Sequence, residues 1–237
     1  MPSKKPVAIV FDTFGSVVDW RGSLIADLSA YGAQRGVTAD WPALVDAWRA
    51  AYHPSMDRVR KGEQPWTKLD ALHRASLDKL VADFGIKGLN EADLVHINLG
   101  WHRLNGWKDS VPGLTRLKTK YVIGPLSNGN VSLLTYMAKH AGLPWDMIFG
   151  SDLFMHFKPD PETYLGVAKL MDLEPGQVMM AAAHNGDLGA ARKAGLMTAF
   201  WPRPLEYGPH QKRDYAADQD WDVVATDIED LARQLGV

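Results

Sequence analysis

The chain has 237 residues, 46% of them apolar and 23% charged, enough for one large globular domain or a core with a smaller insert. With 26 basic and 28 acidic residues the formal net charge is −2, so we expect neither a nucleic-acid nor a membrane partner. The sequence contains no cysteine, which excludes disulfides, thiolate metal ligands and a cysteine nucleophile. It also shows no signal-peptide pattern, and these features together predict a cytoplasmic protein.

The first predicted element is a strand over residues 7–11, VAIVF, which runs directly into Asp12. Four further apolar runs follow later in the chain, at 121–126, 147–150, 178–183 and 197–201. Each run is nearly continuous in its apolar character, which is typical of parallel strands covered on both faces. The later strands alternate with predicted helices at 130–141, 161–171 and 187–194.

The segment between the first two strands has a different texture, because no strand-like run interrupts its helical pattern. Its predicted helices lie near 22–35, 40–52, 67–84 and 90–105. We therefore predict a helical cap domain at 20–108, inserted into a Rossmann-like core made of 1–19 and 109–237. The expected fold class is α/β, with a doubly wound parallel sheet core and an inserted helical cap domain.

Polar residues follow each predicted strand at its carboxyl end, where ligands of open α/β sheets bind. They are Asp12, Ser127, Asn128, Lys158, His184, Asn185 and Asp187. Each has an ordinary alternative explanation, such as turn formation, helix capping or solvation at the surface. Their common placement at one rim nevertheless predicts a functional site.

Four motifs in chain order carry a resemblance that covers nearly the whole sequence. The motifs are Asp12-Thr13-Phe14-Gly15-Ser16, Leu126-Ser127-Asn128-Gly129, Lys158-Pro159-Asp160-Pro161 with Tyr164, and Asn185-Gly186-Asp187. This set resembles the haloacid dehalogenase superfamily, and within it the type II 2-haloacid dehalogenases. The resemblance implies a hydrolase that displaces halide from C2 of short 2-haloacids and yields 2-hydroxyacids.

The chemistry of the residues agrees with that implied reaction. An oriented and desolvated carboxylate is a competent nucleophile, and we expect Asp12 to form an ester intermediate with the substrate carbon. The ammonium of Lys158 would keep Asp12 ionised. Backbone N–H groups after Asp12 and around Ser127 and Asn128 would cradle the substrate carboxylate. Asn185 and Asp187 would position the water that hydrolyses the ester.

The resemblance also implies substrate-binding residues. It places a halide-binding arginine at Arg49, in the segment Trp48-Arg49-Ala50-Ala51-Tyr52, where the alternative is a helix-surface arginine. Tyr164 matches a tyrosine of the family site, and Ser16 stands where the family often has threonine, a hydroxyl that can hydrogen-bond the nucleophile. His184 departs from the family pattern, which has serine there, and Asp187 follows Asn185 at a spacing of two instead of three. A site acid, a halide neighbour and a structural group remain alternatives for His184.

Phe14 bears on the choice between dehalogenation and phosphate chemistry. Phosphatases of the superfamily usually carry a second aspartate at this position as an acid for the leaving alcohol, whereas a halide needs no proton. The position where metal-using relatives carry an acid is Asn185, and one carboxylate fewer weakens a magnesium site. We therefore expect neither metal nor cofactor.

Three alternatives to the dehalogenase prediction stay open at this point. They are a magnesium-dependent phosphatase or phosphonatase of the same superfamily, a non-catalytic binding protein on this fold, and displacement on a strained azetidine ring. The expected partner is a small 2-haloacid, and the resemblance implies a homodimer.

Overall fold

The computed structural model of the chain describes residues 5–209 and 211–237. The strands in chain order are β1 (Ala8–Phe11), β2 (Val18–Asp19), β3 (Asn105–Gly106), β4 (Val122–Ser127), β5 (Phe149–Gly150), β6 (Val178–Ala182), β7 (Met197–Phe200) and β8 (Val223–Val224). Within the described residues, six of these strands form one parallel sheet in the order β5-β4-β1-β6-β7-β8. The sheet confirms the predicted α/β class with a doubly wound parallel core.

The helices surround this sheet and fill the segment between β2 and β3. They are α1 (Trp20–Arg35), α2 (Trp41–Ala50), α3 (Tyr52–Arg60), α4 (Leu69–Asp83), α5 (Glu91–Asn98), α6 (Ser110–Lys118), α7 (Val131–Ala141), α8 (Ser151–Phe154), α9 (Pro161–Leu170), α10 (Asn185–Lys193) and α11 (Ile228–Gln234). Among residues 5–209 and 211–237, none of the helices combines the length and the apolar character that a bilayer crossing needs.

Strand β1 lies between β4 and β6. The chain first adds β4 and β5 on one side of β1 and then adds β6, β7 and β8 on the other side. Its side chains alternate between the two faces of the sheet. Ile9 and Phe11 join the apolar cluster that continues into the inserted helices, whereas Val10 joins the cluster beneath α9 and α10. Burial on both faces explains why the strand is apolar without interruption, and it places Asp12 at a topological switch point.

Two short strands connect the inserted helices to the sheet. β2 and β3 pair antiparallel, with Val18 opposite Gly106 and Asp19 opposite Asn105. Asp19 also begins α1, because its side chain accepts a hydrogen bond from the N–H of Gly22. The pair brings the two ends of the insert together. The division of the chain into a cap at 20–108 and a core stays a prediction.

Several element boundaries differ from the sequence prediction. The predicted helix 40–52 is two helices, because α2 ends at Ala50 and α3 begins at Tyr52. Pro54 lies in the first turn of α3, where a missing N–H breaks no helical hydrogen bond. The predicted helix 90–105 ends at Asn98 and continues as a 3-10 helix, and β8 is too short to give a periodic signal.

A buried ion pair fixes the segment after β7 to the rest of the core. The guanidinium of Arg203 donates two hydrogen bonds of 2.8 Å to the carboxylate of Asp109. Asp109 also accepts from the N–H of Ile228 at 2.8 Å, and Nε of Arg203 donates to the carbonyl of Ser16 at 2.9 Å. This one pair therefore joins the β1 loop, the start of α6, the start of α11 and the segment after β7.

Replacing Asp109 by asparagine should lower the free energy of unfolding by about 3 kcal/mol, because it leaves the buried Arg203 guanidinium without its counter-charge. Asp46→Asn is the matched control, since that carboxylate pairs with Arg21 at a half-exposed position and should change stability by less than about 1 kcal/mol. Urea unfolding of both variants measures the difference. Equal losses in the two variants would contradict this account of the pair.

Candidate active site

Asp12 extends β1 into the rim of the sheet and is 7% exposed. Its Oδ1 accepts a hydrogen bond from Nζ of Lys158 at 2.9 Å. Its Oδ2 accepts from Oγ of Ser16 at 2.7 Å and lies 3.0 Å from Nδ1 of His184. Burial alone would raise the pKa of Asp12, but the charges of Lys158 and His184 and the hydrogen bonds to the carboxylate hold it well below its usual range. Asp12 is therefore an ionised carboxylate with a fixed orientation.

The loop after Asp12 turns sharply so that Ser16 faces back to it. The N–H groups of Val17 and Val18 both donate to the carbonyl of Thr13, and Gly15 has a φ of 89°. The hydroxyl of Ser16 in turn accepts from the N–H of Ala183, at the end of β6. Ser16, predicted at the site as a hydroxyl that can hydrogen-bond the nucleophile, thus holds the carboxylate of Asp12.

Lys158 lies between two carboxylates. Its Nζ is 2.9 Å from Asp12 and 2.5 Å from Oδ2 of Asp187. Burial would lower the pKa of Lys158, but the two neighbouring carboxylates raise it above its ordinary value. Asn128 fixes the backbone of the lysine, because its Oδ1 accepts from the N–H of Lys158 at 2.6 Å. The ammonium is therefore a permanent cation at the base of the site.

Asp187 lies in the first turn of α10, and both of its carboxylate oxygens accept hydrogen bonds. Oδ2 accepts from Lys158, and Oδ1 accepts from the hydroxyl of Tyr164 at 2.6 Å. Burial and the nearby charge of Asp12 raise the pKa of Asp187, although Lys158 opposes them. Tyr164, predicted as substrate-binding, is thus a hydrogen-bond donor to this carboxylate, and its ring lines the cavity.

The imidazole of His184 bridges Asp12 and a second carboxylate, Glu206. Nδ1 faces Asp12 at 3.0 Å, and Nε2 lies 2.7 Å from Oε2 of Glu206. Because an ionised carboxylate can only accept, both ring nitrogens must donate and the ring is an imidazolium. Burial would lower the pKa of His184, but Glu206 and Asp12 raise it well above its ordinary value.

Glu206 was missed by the sequence analysis. It is 1% exposed, and its Oε1 accepts from Nε1 of Trp20 at 3.1 Å and lies 3.9 Å from Nη2 of Arg49. A Cβ on Gly15 would sit 2.2 Å from its Cδ, so glycine at that position makes room for the carboxylate. The segment around Glu206 contains no recognisable motif. The glycine at position 15 is the sequence feature that indicates a close neighbour of the β1 loop.

Arg49 comes from α2 and faces the cavity, 9% exposed. Its guanidinium lies 4.3 Å from the ring of Tyr52 and 5.3 Å from the ring of Trp20. Among the described residues, its Nη1 has no hydrogen-bond partner. An aromatic wall with a buried cation is suited to a small, weakly hydrated anion.

Phe14 forms the opposite part of that aromatic wall. Its ring packs edge to face on Trp101 at 5.6 Å and on Tyr52 at 6.2 Å. The cavity that it borders has a volume of about 450 Å³ and is also lined by Asp12, Arg49, Asn128, Lys158, Tyr164, His184 and Asp187. The structure therefore brings nine of the eleven predicted site residues together around one centre, when Ser16, which holds Asp12, is counted with Phe14 and these seven.

Two of the predicted site residues, Ser127 and Asn185, are not among the residues that line the cavity. Oγ of Ser127 accepts from the N–H of Gly129 at 3.2 Å, as in a local turn. The amide of Asn185 donates to Asp214 and to the carbonyl of Ala216, and its oxygen accepts from Nε1 of Trp221 at 2.9 Å. The structure thus gives Asn185 a role in holding the segment after β7, instead of the predicted contact with a water molecule.

A second cavity of about 540 Å³ lies between the 3-10 helix Leu99–Arg103 and α7, and it contains none of the residues that converge on Asp12. In residues 5–209 and 211–237, no group of three or more histidine, aspartate or glutamate side chains is arranged to hold a metal ion.

Comparison with known proteins places this geometry among carbon–halogen hydrolases. The family model described as haloacid dehalogenase-like hydrolase matches residues 7–195. The chain is 26% identical over 203 residues to an (S)-2-haloacid dehalogenase of Xanthobacter autotrophicus, covering 81% of this chain and 73% of that protein.

Two crystal structures resemble the chain along almost its full length. The defluorinating L-2-haloacid dehalogenase Rha0230 is 50% identical with a TM-score of 0.96, covering 100% of this chain and 98% of the other. The L-2-haloacid dehalogenase PA0810 is 53% identical with a TM-score of 0.95, covering 97% of this chain and 98% of the other.

We expect the ring of His184 to carry both protons at neutral pH, because two carboxylates accept from it. Since its pKa is raised, the ion pairs stabilise the fold fully below the ordinary imidazole pKa, and the contribution is lost as the pH rises through the raised value. Nitrogen NMR of labelled histidines checks this, with His184→Gln assigning the signal. Burial lowers the pKa of His53 to about 4 and of His73 to about 3, so both serve as neutral references. A neutral His184 ring at pH 7 would contradict the geometry.

Proposed function

The chain belongs to the haloacid dehalogenase-like hydrolase family, and from that premise we propose that it hydrolyses the carbon–halogen bond of short 2-haloacids. One observation carries the proposal: an ionised, oriented carboxylate, Asp12, borders a small cavity with a buried cation on the facing aromatic wall. Such a cavity holds a nucleophile on one side and a site for a departing anion on the other.

In the first step an oxygen of Asp12 attacks C2 of the substrate, and the carbon–halogen bond breaks with its electron pair leaving on the halide. Attack opposite the leaving group inverts C2 and produces an ester of Asp12. Lys158 and Ser16 hold the carboxylate in place for this displacement. We propose that Nη1 of Arg49 receives the halide, and that N–H groups after Asp12 and near Asn128 receive the substrate carboxylate.

In the second step a water molecule attacks the carbonyl carbon of the Asp12 ester. The bond between the carbonyl carbon and the ester oxygen breaks. That oxygen, which came from Asp12, stays bonded to C2 in the 2-hydroxyacid product, and the carboxylate of Asp12 is regenerated with one oxygen from water. The step needs a base close to Asp12, and Asp187 and His184 both line the cavity beside it.

Phe14 is the observation that disfavours the phosphatase alternative. Its ring is buried between Tyr52 and Trp101, where it can neither donate a proton to a leaving alcohol nor coordinate a cation. A non-catalytic binding protein on this fold would not need a carboxylate held by three polar side chains, because such a network carries a large desolvation cost.

We also propose that residues 20–108 act as a cap domain over a core of 1–19 and 109–237. In support, Arg49 and Tyr52 of the insert border the same cavity as Asp12 and Lys158 of the core. A homodimer in the cytoplasm is proposed on the family resemblance and on the absence of cysteine.

A single turnover in heavy-oxygen water tests the covalent mechanism. With the enzyme in excess over 2-chloropropionate, the label should enter the carboxylate of Asp12, and the lactate formed should keep unlabelled oxygen. Asp12→Asn should release halide at least about 10³-fold more slowly, because the nucleophile is lost. Halide release by the parent enzyme should not change in EDTA. Label found directly in the lactate would show attack of water on C2.

Arg49→Lys should slow the halide burst by about 10²-fold, because a lysine ammonium cannot place a planar N–H beside Tyr52 and Trp20. The rate of ester hydrolysis should stay unchanged, since halide has left by then. Arg58→Lys on the exposed side of α3 is the control. Rapid-quench measurement of halide from chloroacetate and fluoroacetate gives both rates, and an unaltered burst would remove Arg49 from the halide site.

A further inference from the structure

Asp12, His184 and Glu206 stand in line, with the imidazole between the two carboxylates. The distances are 3.0 Å from Nδ1 to Asp12 and 2.7 Å from Nε2 to Glu206. This is the arrangement of a nucleophile, a base within hydrogen-bond reach of it, and a third group that orients the base. The family resemblance assigns no base to these two residues, and Glu206 belongs to none of the four motifs.

We propose that His184, held by Glu206, is the general base that activates water for hydrolysis of the Asp12 ester. The inference rests on the proposed function, since it concerns the second step of that reaction. Nδ1 already contacts the carboxyl group that becomes the ester, so a water molecule bound to Nδ1 lies beside the carbonyl carbon of Asp12.

The charges of the site change in the direction that this role requires. In the free enzyme Asp12 is an anion and His184 carries both protons. Formation of the ester removes the charge of Asp12, so one of the two carboxylates that hold the proton on the ring is lost. His184 then releases its Nδ1 proton to solvent, while its Nε2 proton stays on the ring and is donated in a hydrogen bond to Glu206. The lone pair of Nδ1 then faces the ester.

The protons and electrons of the second step then balance. His184 takes one proton from water as the oxygen bonds to the carbonyl carbon. The tetrahedral intermediate expels the alkoxide of the product, which takes the proton of the newly added hydroxyl, and Asp12 returns as a carboxylate beside a protonated His184. The overall reaction consumes a haloacid and water and releases a hydroxyacid, a halide and the one proton that His184 gave to solvent.

Glu206 is fixed well enough to orient the ring. Trp20 donates to its Oε1, and the nearby Arg203–Asp109 pair anchors the segment that carries it. The other groups near His184 leave it the better placed base. The carboxylate oxygens of Asp187 already accept hydrogen bonds from Lys158 and Tyr164. Asn185 is hydrogen-bonded to the segment 214–221.

Further charged groups line the cavity that His184 faces, and they contribute to the field at the ring. They are Arg49, His53, Asp57, Arg60, Lys158, Asp187, Arg213 and Asp214. The four cations Arg49, Arg60, Lys158 and Arg213 outnumber the three carboxylates of this set, which favours release of a proton from His184 once Asp12 is neutral.

Trapping of the ester tests the proposal. His184→Gln, mixed with 2-chloropropionate, should release one equivalent of halide per active site in a burst no more than about tenfold slower than the parent. Steady turnover should fall by about 10²–10⁴-fold. Intact-protein mass spectrometry should then show the chain heavier by the substrate less hydrogen halide, with the added mass on the peptide containing Asp12.

Glu206→Gln tests the positioning role of the carboxylate with a readout that a purely structural role would not move. The ascending limb of ester hydrolysis against pH should shift to lower pH, because loss of the negative charge on Glu206 lowers the pKa of His184. Asp93→Asn is the control for a buried carboxylate outside the site, since Asp93 is 2% exposed and bonded to Tyr31 in the insert.

The outcomes separate this inference from the proposed function. If the parent enzyme releases no halide from any 2-haloacid, the proposed function fails and the inference falls with it. If the parent enzyme turns over and His184→Gln shows no burst, or turns over normally, the inference alone is overturned. Accumulation of the ester in Asp187→Asn but not in His184→Gln would also overturn it and would assign the base to Asp187. Thermal unfolding of each variant shows whether it is folded.

Discussion

A carboxylate buried at the end of a central strand must be matched by cations, and the whole site is organised by that requirement at Asp12. The charges alternate along one line of contacts, from Asp187 to Lys158, Asp12, His184 and Glu206. Arg49 extends this alternation beyond Glu206 at 3.9 Å. Buried ion networks are weak sources of stability because of their desolvation cost, so the alternation is better explained by the reactivity of Asp12.

The same alternation explains how one site can serve two steps of opposite electrostatic demand. Displacement of halide needs an anionic Asp12, which two flanking cations keep ionised. Once the ester has formed, Lys158 remains a cation beside a neutral carbonyl group, and His184 becomes a cation again when it takes a proton from water. Both charges then favour the developing negative charge of the tetrahedral intermediate. The reaction itself therefore changes the field, and no movement of charged side chains is required.

The inserted helices complete the site through aromatic contacts as well as charge. Phe14 reaches from the β1 loop into the cluster formed by Trp101 and Tyr52, while Arg49 reaches back toward Glu206. A change in the packing of either part therefore alters the shape of the cavity. The Arg203–Asp109 pair plays the corresponding role on the other side, because it fixes the segment that carries Glu206.

The sequence by itself determined the α/β class and the placement of Asp12 and Lys158 at one rim, because the carboxyl ends of parallel strands must meet there and their polar residues mark it. Only the tertiary structure decided that Asn185 turns away from the cavity and that Glu206 joins it. Glu206 follows a segment without periodicity and contacts Trp20, 186 residues earlier in the chain. Neither the direction of a side chain at a helix start nor the path of an irregular loop is encoded in local pattern. Both depend on which distant groups leave a buried charge or amide to be satisfied.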